Sequence, residues 1–155
     1  MAIGTDPDLA VVVGHDRRAA GLAALAAAVE LAARLRAEVH VVHSITVEDY
    51  GIDPDSDEFD AQCARNRARE RDDIEATMRD TGLRWTYHEQ RGDPAKALAG
   101  LADKVDAAYI VVGATRPGAL HHLVGGESVA KRLLRHQHRP VLVVPEPAEP
   151  ERDRH

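Results

Sequence analysis

One glycine-bearing turn between an apolar strand and a helix is the stretch of this sequence best suited to chemistry. Residues 109–112 are apolar, Gly113 opens a turn that continues into a polar loop, and a helix begins near Ser128. A strand that ends in glycine and leads into a helix leaves backbone N–H groups pointing beyond the edge of the sheet. Such groups favour anions, phosphate above all. The stretch therefore predicts an anion site.

A second polar group follows the first predicted strand, where His15 and Asp16 come directly after Gly14. An imidazole beside a carboxylate permits acid–base chemistry. The sequence places no nucleophile near it, so a polar residue at the sheet edge is the simpler interpretation of His15. Asp16 has the stronger functional interpretation, and its alternative role is to cap the helix that begins nearby.

Metal and redox sites have weaker support. The histidines include the neighbours His121 and His122 and the close pair His136 and His138, but no cysteine or carboxylate stands at a recognised ligand spacing. We therefore expect no metal. Cys63 lies on the apolar stripe of a helix, where packing is its expected role. As the only cysteine it leaves no intramolecular disulfide, which agrees with a reducing compartment.

Alternating strands and helices must position these groups. Asp93 followed by Pro94 predicts a helix start, and Gly82 predicts the end of the charged second helix. The alternation indicates an α/β fold with a parallel sheet, helices on both faces and ligands beyond the carboxyl ends of the strands. The third strand is the least apolar, as is typical of an edge. The predicted strands are residues 9–13, 39–45, 83–89, 107–112 and 141–144, and the predicted helices are residues 18–36, 58–80, 94–104 and 128–136.

Composition favours one domain with an aliphatic core, because the 155 residues are 44% hydrophobic but only 3% aromatic. A formal net charge of -6 argues against general nucleic-acid binding. No signal-peptide pattern or membrane-spanning apolar run is present, so we expect a cytosolic protein without a membrane partner. We predict an N-terminal extension at residues 1–8, a single domain at residues 9–145, a solvated acidic loop at residues 48–60 and a disordered tail at residues 146–155.

Five segments resemble the universal stress protein family, and together they span nearly the whole chain. They are VVVGHD, AAVELAARLRAEVHVVHSI, GDPAKAL, AYIVVGAT and RPVLVVP. None of these segments alone is specific for the family. Their order, together with the helix lengths between them, is specific. The resemblance implies a Rossmann-like, five-stranded parallel sheet in the order 3-2-1-4-5, of the adenine nucleotide alpha hydrolase-like type, and a homodimer.

The resemblance also implies an adenine-nucleotide site, from which this chain departs. ATP-binding members carry Gly, two residues, Gly, nine residues and Gly, followed by Ser or Thr. Gly113 and Gly126, thirteen residues apart, match the first and third glycines. Arg116 replaces the second glycine, and Glu127 comes before Ser128 where Ser or Thr should follow directly.

Two further positions carry over from the family. Asp16 matches the carboxylate that lies near the nucleotide, and Ser44 matches the small residue that flanks adenine. The cofactor-binding residues that the resemblance implies are Asp16, Ser44, Gly113, Arg116, Gly126, Glu127 and Ser128.

Both departures weaken the expected site for ATP. The Arg116 side chain blocks the close approach of backbone to phosphate, although its guanidinium can itself hold a phosphate. A carboxylate at Glu127 satisfies the helix N-terminus, and about 4 Å from a phosphate charge it repels that charge by roughly 1 to 4 kcal/mol. Two arrangements stay open: Arg116 and Glu127 pair across the loop, or both point into water.

The last strand predicts self-association. In the implied order it lies at the sheet edge and presents an apolar edge of the kind that soluble proteins avoid. Pairing with the same strand of a second copy about a two-fold axis covers it. The residues that would form this contact are Val141, Leu142, Val143 and Val144.

Three functions therefore stay open. The favoured one is a dimeric stress-response protein that binds ATP weakly or not at all and acts through protein contacts. The second is a sensor that binds ATP or AMP through residues 113–128. The third is an enzyme such as a slow ATP hydrolase, but the sequence supplies no catalytic dyad, and a fold alone does not confer activity. No cofactor is certain from these residues.

Overall fold

The computed structural model describes residues 9–15, 19–45, 55–114 and 128–147. The predicted N-terminal extension, most of the acidic loop and nearly all of the predicted tail lie outside these residues. So do the candidate site residues Asp16, Arg116, Gly126 and Glu127. The elements are β1 (Ala10–Gly14), α1 (Ala19–Leu35), β2 (Glu38–Ile45), α2 (Asp57–Met78), β3 (Trp85–Arg91), α3 (Pro94–Val105), β4 (Tyr109–Ala114), α4 (Val129–His136) and β5 (Val141–Pro145).

All five strands form one parallel sheet in the order β3-β2-β1-β4-β5, which confirms the order that the family resemblance implied. β1 is central and pairs with β2 on one side and β4 on the other. Its residues Ala10, Val11, Val12 and Val13 have no exposed surface, as expected for a strand covered on both faces. The less apolar β3 lies at one edge, as predicted.

The two faces of the sheet carry separate aliphatic clusters. Val11 and Val13 face α1 and α2, where they join Leu25 and Ile74. Val12 faces the opposite way and joins residues of α3 and α4, including Leu98 and Leu133. This alternation follows from the two-residue period of a strand, and the small alanines of α1 let the helix lie close to the sheet.

Helix caps follow the sequence signals at α3 and α4 but not at α2. Asp93 caps α3 by accepting from the Ala95 N–H at 3.1 Å, with Pro94 at the first helical position. Helix α2 ends at Met78, before the predicted end, because Arg79 leaves the helical conformation at ψ 139° and Asp80 follows in the left-handed region at φ 70°. Short polar side chains tolerate that conformation. Gly82, predicted to end the helix, lies in the turn into β3 at φ 72°.

Within the described residues, none of the helices is both long and apolar enough to span a bilayer.

Gly113 is required for packing between β4 and α1. A Cβ built at Gly113 would overlap the carbonyl oxygen of Ala20 in the first turn of α1. Because that contact is with backbone, neither side can yield by a simple side-chain rotation. The glycine therefore allows α1 to approach the carboxyl end of β4.

Replacing Gly113 with Ala should lower the free energy of unfolding by about 1 to 3 kcal/mol, because the new methyl group overpacks the contact with Ala20. Urea unfolding followed by circular dichroism measures the change. Gly100→Ala is the matched control: Gly100 lies in α3, where a Cβ meets nothing within 4 Å, so it should be neutral or stabilising by up to ~1 kcal/mol. Equal effects at the two positions would contradict the packing role of Gly113.

Candidate functional site

The carboxyl edge of the sheet is the part of this fold that can hold a ligand. The chain leaves β1 toward β2 on one side, while β4 lies on the other side, so the strand order reverses between β1 and β4. In open parallel sheets the crevice at such a reversal is where ligands bind. Gly14 ends β1 and Ala114 ends β4 at this edge.

Three predicted site residues are described, and all belong to elements that meet this edge. Ser44 is the second-last residue of β2, Gly113 the second-last of β4, and Ser128 the residue before α4. The structure therefore places these three residues on the edge that the prediction required. Their binding roles stay predictions, as do those of Asp16, Arg116, Gly126 and Glu127.

The start of α4 already has internal partners. The Ser128 Oγ accepts a hydrogen bond from the Lys131 backbone N–H at 3.2 Å. One turn further on, Arg132 forms an ion pair with Asp93, the residue that caps α3. A phosphate placed here would compete with Ser128 for one N–H group and with Asp93 for the guanidinium.

A buried carboxylate lies beneath the same edge, on the α1 and α2 face of the sheet. The Glu70 side chain from α2 is only 1% exposed. Its Oε1 accepts from the His15 Nδ1 at 2.5 Å, while its Oε2 accepts from the His43 Nδ1 at 3.0 Å and the Tyr87 hydroxyl at 3.3 Å. These three donors follow β1 or lie on β2 and β3. One carboxylate thus ties α2 to three neighbouring strands. We call Glu70, His15, His43 and Tyr87 the Glu70 cluster.

Burial and hydrogen bonding oppose each other in the Glu70 cluster. Burial raises the pKa of Glu70, but the hydrogen bonds from His15 and His43 outweigh it and leave the pKa below its ordinary value. Burial lowers the pKa of His43, but the hydrogen bond and the negative charge of Glu70 outweigh it and leave the pKa raised. Burial and the Glu70 charge raise the pKa of Tyr87, so its hydroxyl stays a donor. The favoured state therefore pairs a charged Glu70 with a charged His43.

His15 is held at both its backbone and its ring. Its N–H donates to the Val42 carbonyl at 2.9 Å, and its carbonyl accepts from the His43 Nδ1 at 3.2 Å. Only 1% of its side chain is exposed. Among the described residues, nothing forms a hydrogen bond with its Nε2. His15 thus stands at the sheet edge as expected, but as a buried partner of a carboxylate.

Sequence reasoning missed Glu70, although a signal was present. The predicted apolar stripe of α2, Phe59, Cys63, Ile74 and Met78, is buried throughout. Glu70 falls on the same helical stripe, between Cys63 and Ile74. An acid on a buried stripe must find donors, and histidines after β1 and in β2 were available.

A second histidine contact lies on the opposite face of the sheet, because His40 and His43 are three residues apart on β2 and side chains alternate along a strand. The His40 Nδ1 lies 3.0 Å from the His88 Nε2, and the His40 Nε2 lies 2.9 Å from the Glu38 carboxylate. Burial, together with the charges of His40 and Lys104, lowers the pKa of His88. Across the described part of the chain, no three His, Cys, Asp or Glu side chains are arranged to hold a metal ion.

Replacing Glu70 with Ala should lower the free energy of unfolding by about 3 kcal/mol, because it leaves buried donors without their acceptor. Glu75→Ala is the control: Glu75 is an exposed acid on the same helix, so its loss should matter by less than about 0.5 kcal/mol. Urea unfolding of both variants and the wild type measures these changes.

The loss of unfolding free energy in Glu70→Ala should depend on pH. Stability from His43 is present below its ordinary pKa of 6.5 and is lost as the pH rises through the raised value. Stability from Glu70 is present above 4.5 and is lost as the pH falls through the lowered value. The difference between wild type and Glu70→Ala should therefore be largest between pH 4.5 and 6.5. A difference that grows steadily up to pH 9 would contradict the charged pair.

Comparisons with known proteins agree with this architecture. Residues 10–145 match the sequence model of the universal stress protein family. The chain is 26% identical over 140 residues to the universal stress protein MJ0531 of Methanocaldococcus jannaschii, covering 88% of this chain and 82% of that protein.

Two solved structures extend the comparison. A universal stress protein family member from Burkholderia pseudomallei is 33% identical with a TM-score of 0.68, covering 88% of this chain and 95% of that one. A universal stress protein in complex with cAMP is 24% identical with a TM-score of 0.62, covering 90% of this chain and 98% of that one. With the family pattern matched across its whole sheet, the chain belongs to the universal stress protein family.

Proposed function

We propose that this chain is a homodimeric stress-response protein that keeps an adenine-nucleotide site, binds a nucleoside monophosphate there, and binds ATP weakly or not at all. The observation that carries the proposal is the pairing of Arg132 with Asp93 beside a helix start that Ser128 already caps. Two groups in the described part of the chain that suit a phosphate chain, the Arg132 guanidinium and the Lys131 N–H, are thus engaged within the protein. A triphosphate would have to displace them.

These internal contacts affect the phosphate part of the site more than the part that would hold the nucleoside. The strand order reverses between β1 and β4, which is where open parallel sheets bind ligands, and Ser44 and Gly113 lie near the carboxyl ends of β2 and β4. The relative in complex with cAMP has the same fold and holds an adenine nucleotide with a single phosphate. The proposed role of Glu127 acts in the same direction, because a carboxylate directly before Ser128 repels added phosphate charge.

Titration calorimetry of the full chain tests the proposal directly. AMP should bind at least as tightly as ATP, because within the described residues the Arg132 guanidinium and the Lys131 N–H are already engaged and the β- and γ-phosphates would have to compete for them. In the double variant Arg116→Gly with Glu127→Ser, ATP affinity should rise at least about tenfold, since removing a repulsion of about 1.4 kcal/mol gives that factor. AMP affinity should change much less.

The pair Arg71→Ser with Glu75→Ser is the matched control, because it removes one charge of each sign from exposed positions on α2. It should leave both affinities unchanged. Wild-type protein that binds ATP tenfold more tightly than AMP, or a double variant with no gain for ATP, would refute the degenerate phosphate site.

The proposed dimer uses the edge strand β5. Leu142 and Val143 are 40% and 45% exposed on opposite faces of β5. Leu142 also borders an apolar groove with Leu31, Tyr109, Pro140 and Val141. An apolar edge strand of this kind is a pairing surface, and a two-fold contact through Val141, Leu142, Val143 and Val144 would cover it.

Replacing Leu142 with Asp should convert the dimer to monomer, because the contact would bury an unpaired carboxylate in each copy. Sedimentation velocity over a range of protein concentrations measures the change. Leu22→Asp is the control, since Leu22 is 48% exposed on α1, away from β5, and it should not alter the sedimentation coefficient. Wild-type protein that sediments as a monomer would count against this interface.

A further inference from the structure

The Nε2 atom of His15 is a buried acceptor whose partner is missing from the described residues. The carboxylate of Glu70 can only accept, so the His15 Nδ1 at 2.5 Å carries the proton. In a neutral imidazole the other nitrogen then has a bare lone pair. A buried acceptor without a donor costs free energy, and native proteins rarely leave one in place.

The Glu70 cluster pairs one negative charge with one positive charge. Glu70 brings one negative charge, and His43, at 3.0 Å from its Oε2, is the imidazole whose pKa is raised. The Tyr87 hydroxyl supplies a further neutral donor. With Glu70 and His43 charged, the two charges cancel within the buried cluster.

The position of His15 relates this bare nitrogen to the candidate site. His15 is the first residue after β1, at the edge where the strand order reverses. Its Nδ1 faces Glu70, which lies over β2 and β3 through His43 and Tyr87. Nε2 is the ring nitrogen that Glu70 does not engage, and the residue that carries it lies at the edge where β1 and β4 end.

We propose that His15 is a recognition residue of the nucleotide site, whose Nε2 accepts a hydrogen bond from an O–H or N–H donor of the bound nucleotide. The inference rests on the proposed function. A bare imidazole nitrogen cannot hold phosphate, which is itself an acceptor. The donors of AMP are its sugar hydroxyls and the 6-amino group of adenine. Because His15 directly follows β1, we expect the donor to approach from the carboxyl edge of the sheet.

Glu70 acts in this proposal as a positioning residue. It fixes the proton on the His15 Nδ1 and so keeps Nε2 an acceptor, in the way that a partner sets the tautomer of a histidine elsewhere. The backbone of His15 is held at the same time by Val42 and His43. The acceptor is therefore preorganised before the ligand arrives.

Removing single donors from the ligand tests the proposal without disturbing the fold. Binding of AMP, 2′-deoxyAMP, 3′-deoxyAMP and purine riboside 5′-monophosphate to the full chain is measured by titration calorimetry. The analogue that lacks the contacted donor should bind wild type about tenfold more weakly than AMP. In His15→Phe, AMP should bind as weakly as that analogue, and the ratio between them should fall to about one.

Nitrogen-15 NMR of the histidine rings gives a readout that needs no folded His15 variant. In the free wild type, the His15 Nδ1 should be protonated and Nε2 bare, and AMP should shift the Nε2 resonance. Glu70→Gln should reduce the fraction of this tautomer and lower AMP affinity, while leaving the analogue without the contacted donor unaffected. A merely structural Glu70 would weaken all four ligands together.

The outcomes separate the two proposals. If wild type binds AMP but discriminates among the analogues just as His15→Phe does, the inference is wrong and the proposed function stands. If His15 carries its proton on Nε2 in the free protein, the inference is wrong whatever binds. If wild type binds no adenine nucleotide, the proposed function is wrong and the role of His15 falls with it.

Discussion

Parallel pairing on both sides of β1 is the constraint on which the rest of this structure depends. Hydrogen bonds from β2 and β4 fix the central strand, and backbone bonds extend the ladder past its ends, from Ala108 to Ala10 at 2.8 Å and from His15 to Val42 at 2.9 Å. Because parallel strands share one direction, their carboxyl ends must meet at one edge. The polar groups at the ends of β1, β2 and β4 therefore lie at the same edge.

The Glu70 cluster shows how a weakly apolar helix is held on such a sheet. Helix α2 contributes Ile74 and Met78 to the main core, while Phe59 and Cys63 form a small cluster of their own. Glu70 lies between these two contacts. Burying the Glu70 charge costs free energy. In return the carboxylate specifies where α2 lies on the sheet, because only one position of the helix brings His15, His43 and Tyr87 to it.

Much of the fold followed from local sequence signals, since strand runs, helix periods and the caps at Asp93 and Ser128 report short-range physics. The strand order needed the family resemblance, because no local pattern states which strands are neighbours. Glu70 escaped because α2 is so rich in charge that one more acid resembles a solvated residue, and its partner His15 lies 55 positions away. The end of α2 was misplaced because Arg79 already leaves the helical conformation, three residues before the glycine that marked the end in the sequence.

The polar groups at the carboxyl edge differ in the hydrogen bonds that they can still form with a ligand. Arg132 is neutralised by Asp93, and the Lys131 N–H is taken by Ser128, so these two groups that could attract phosphate are engaged within the protein. His15 offers the reverse, an acceptor that has no donor among the described residues. Engaged cationic groups beside an unfilled acceptor favour neutral donors over anions, since each unmade hydrogen bond costs more than a made one gains. On the proposed function, recognition therefore shifts from the phosphate chain toward the nucleoside, and the number of phosphates becomes a secondary determinant of affinity.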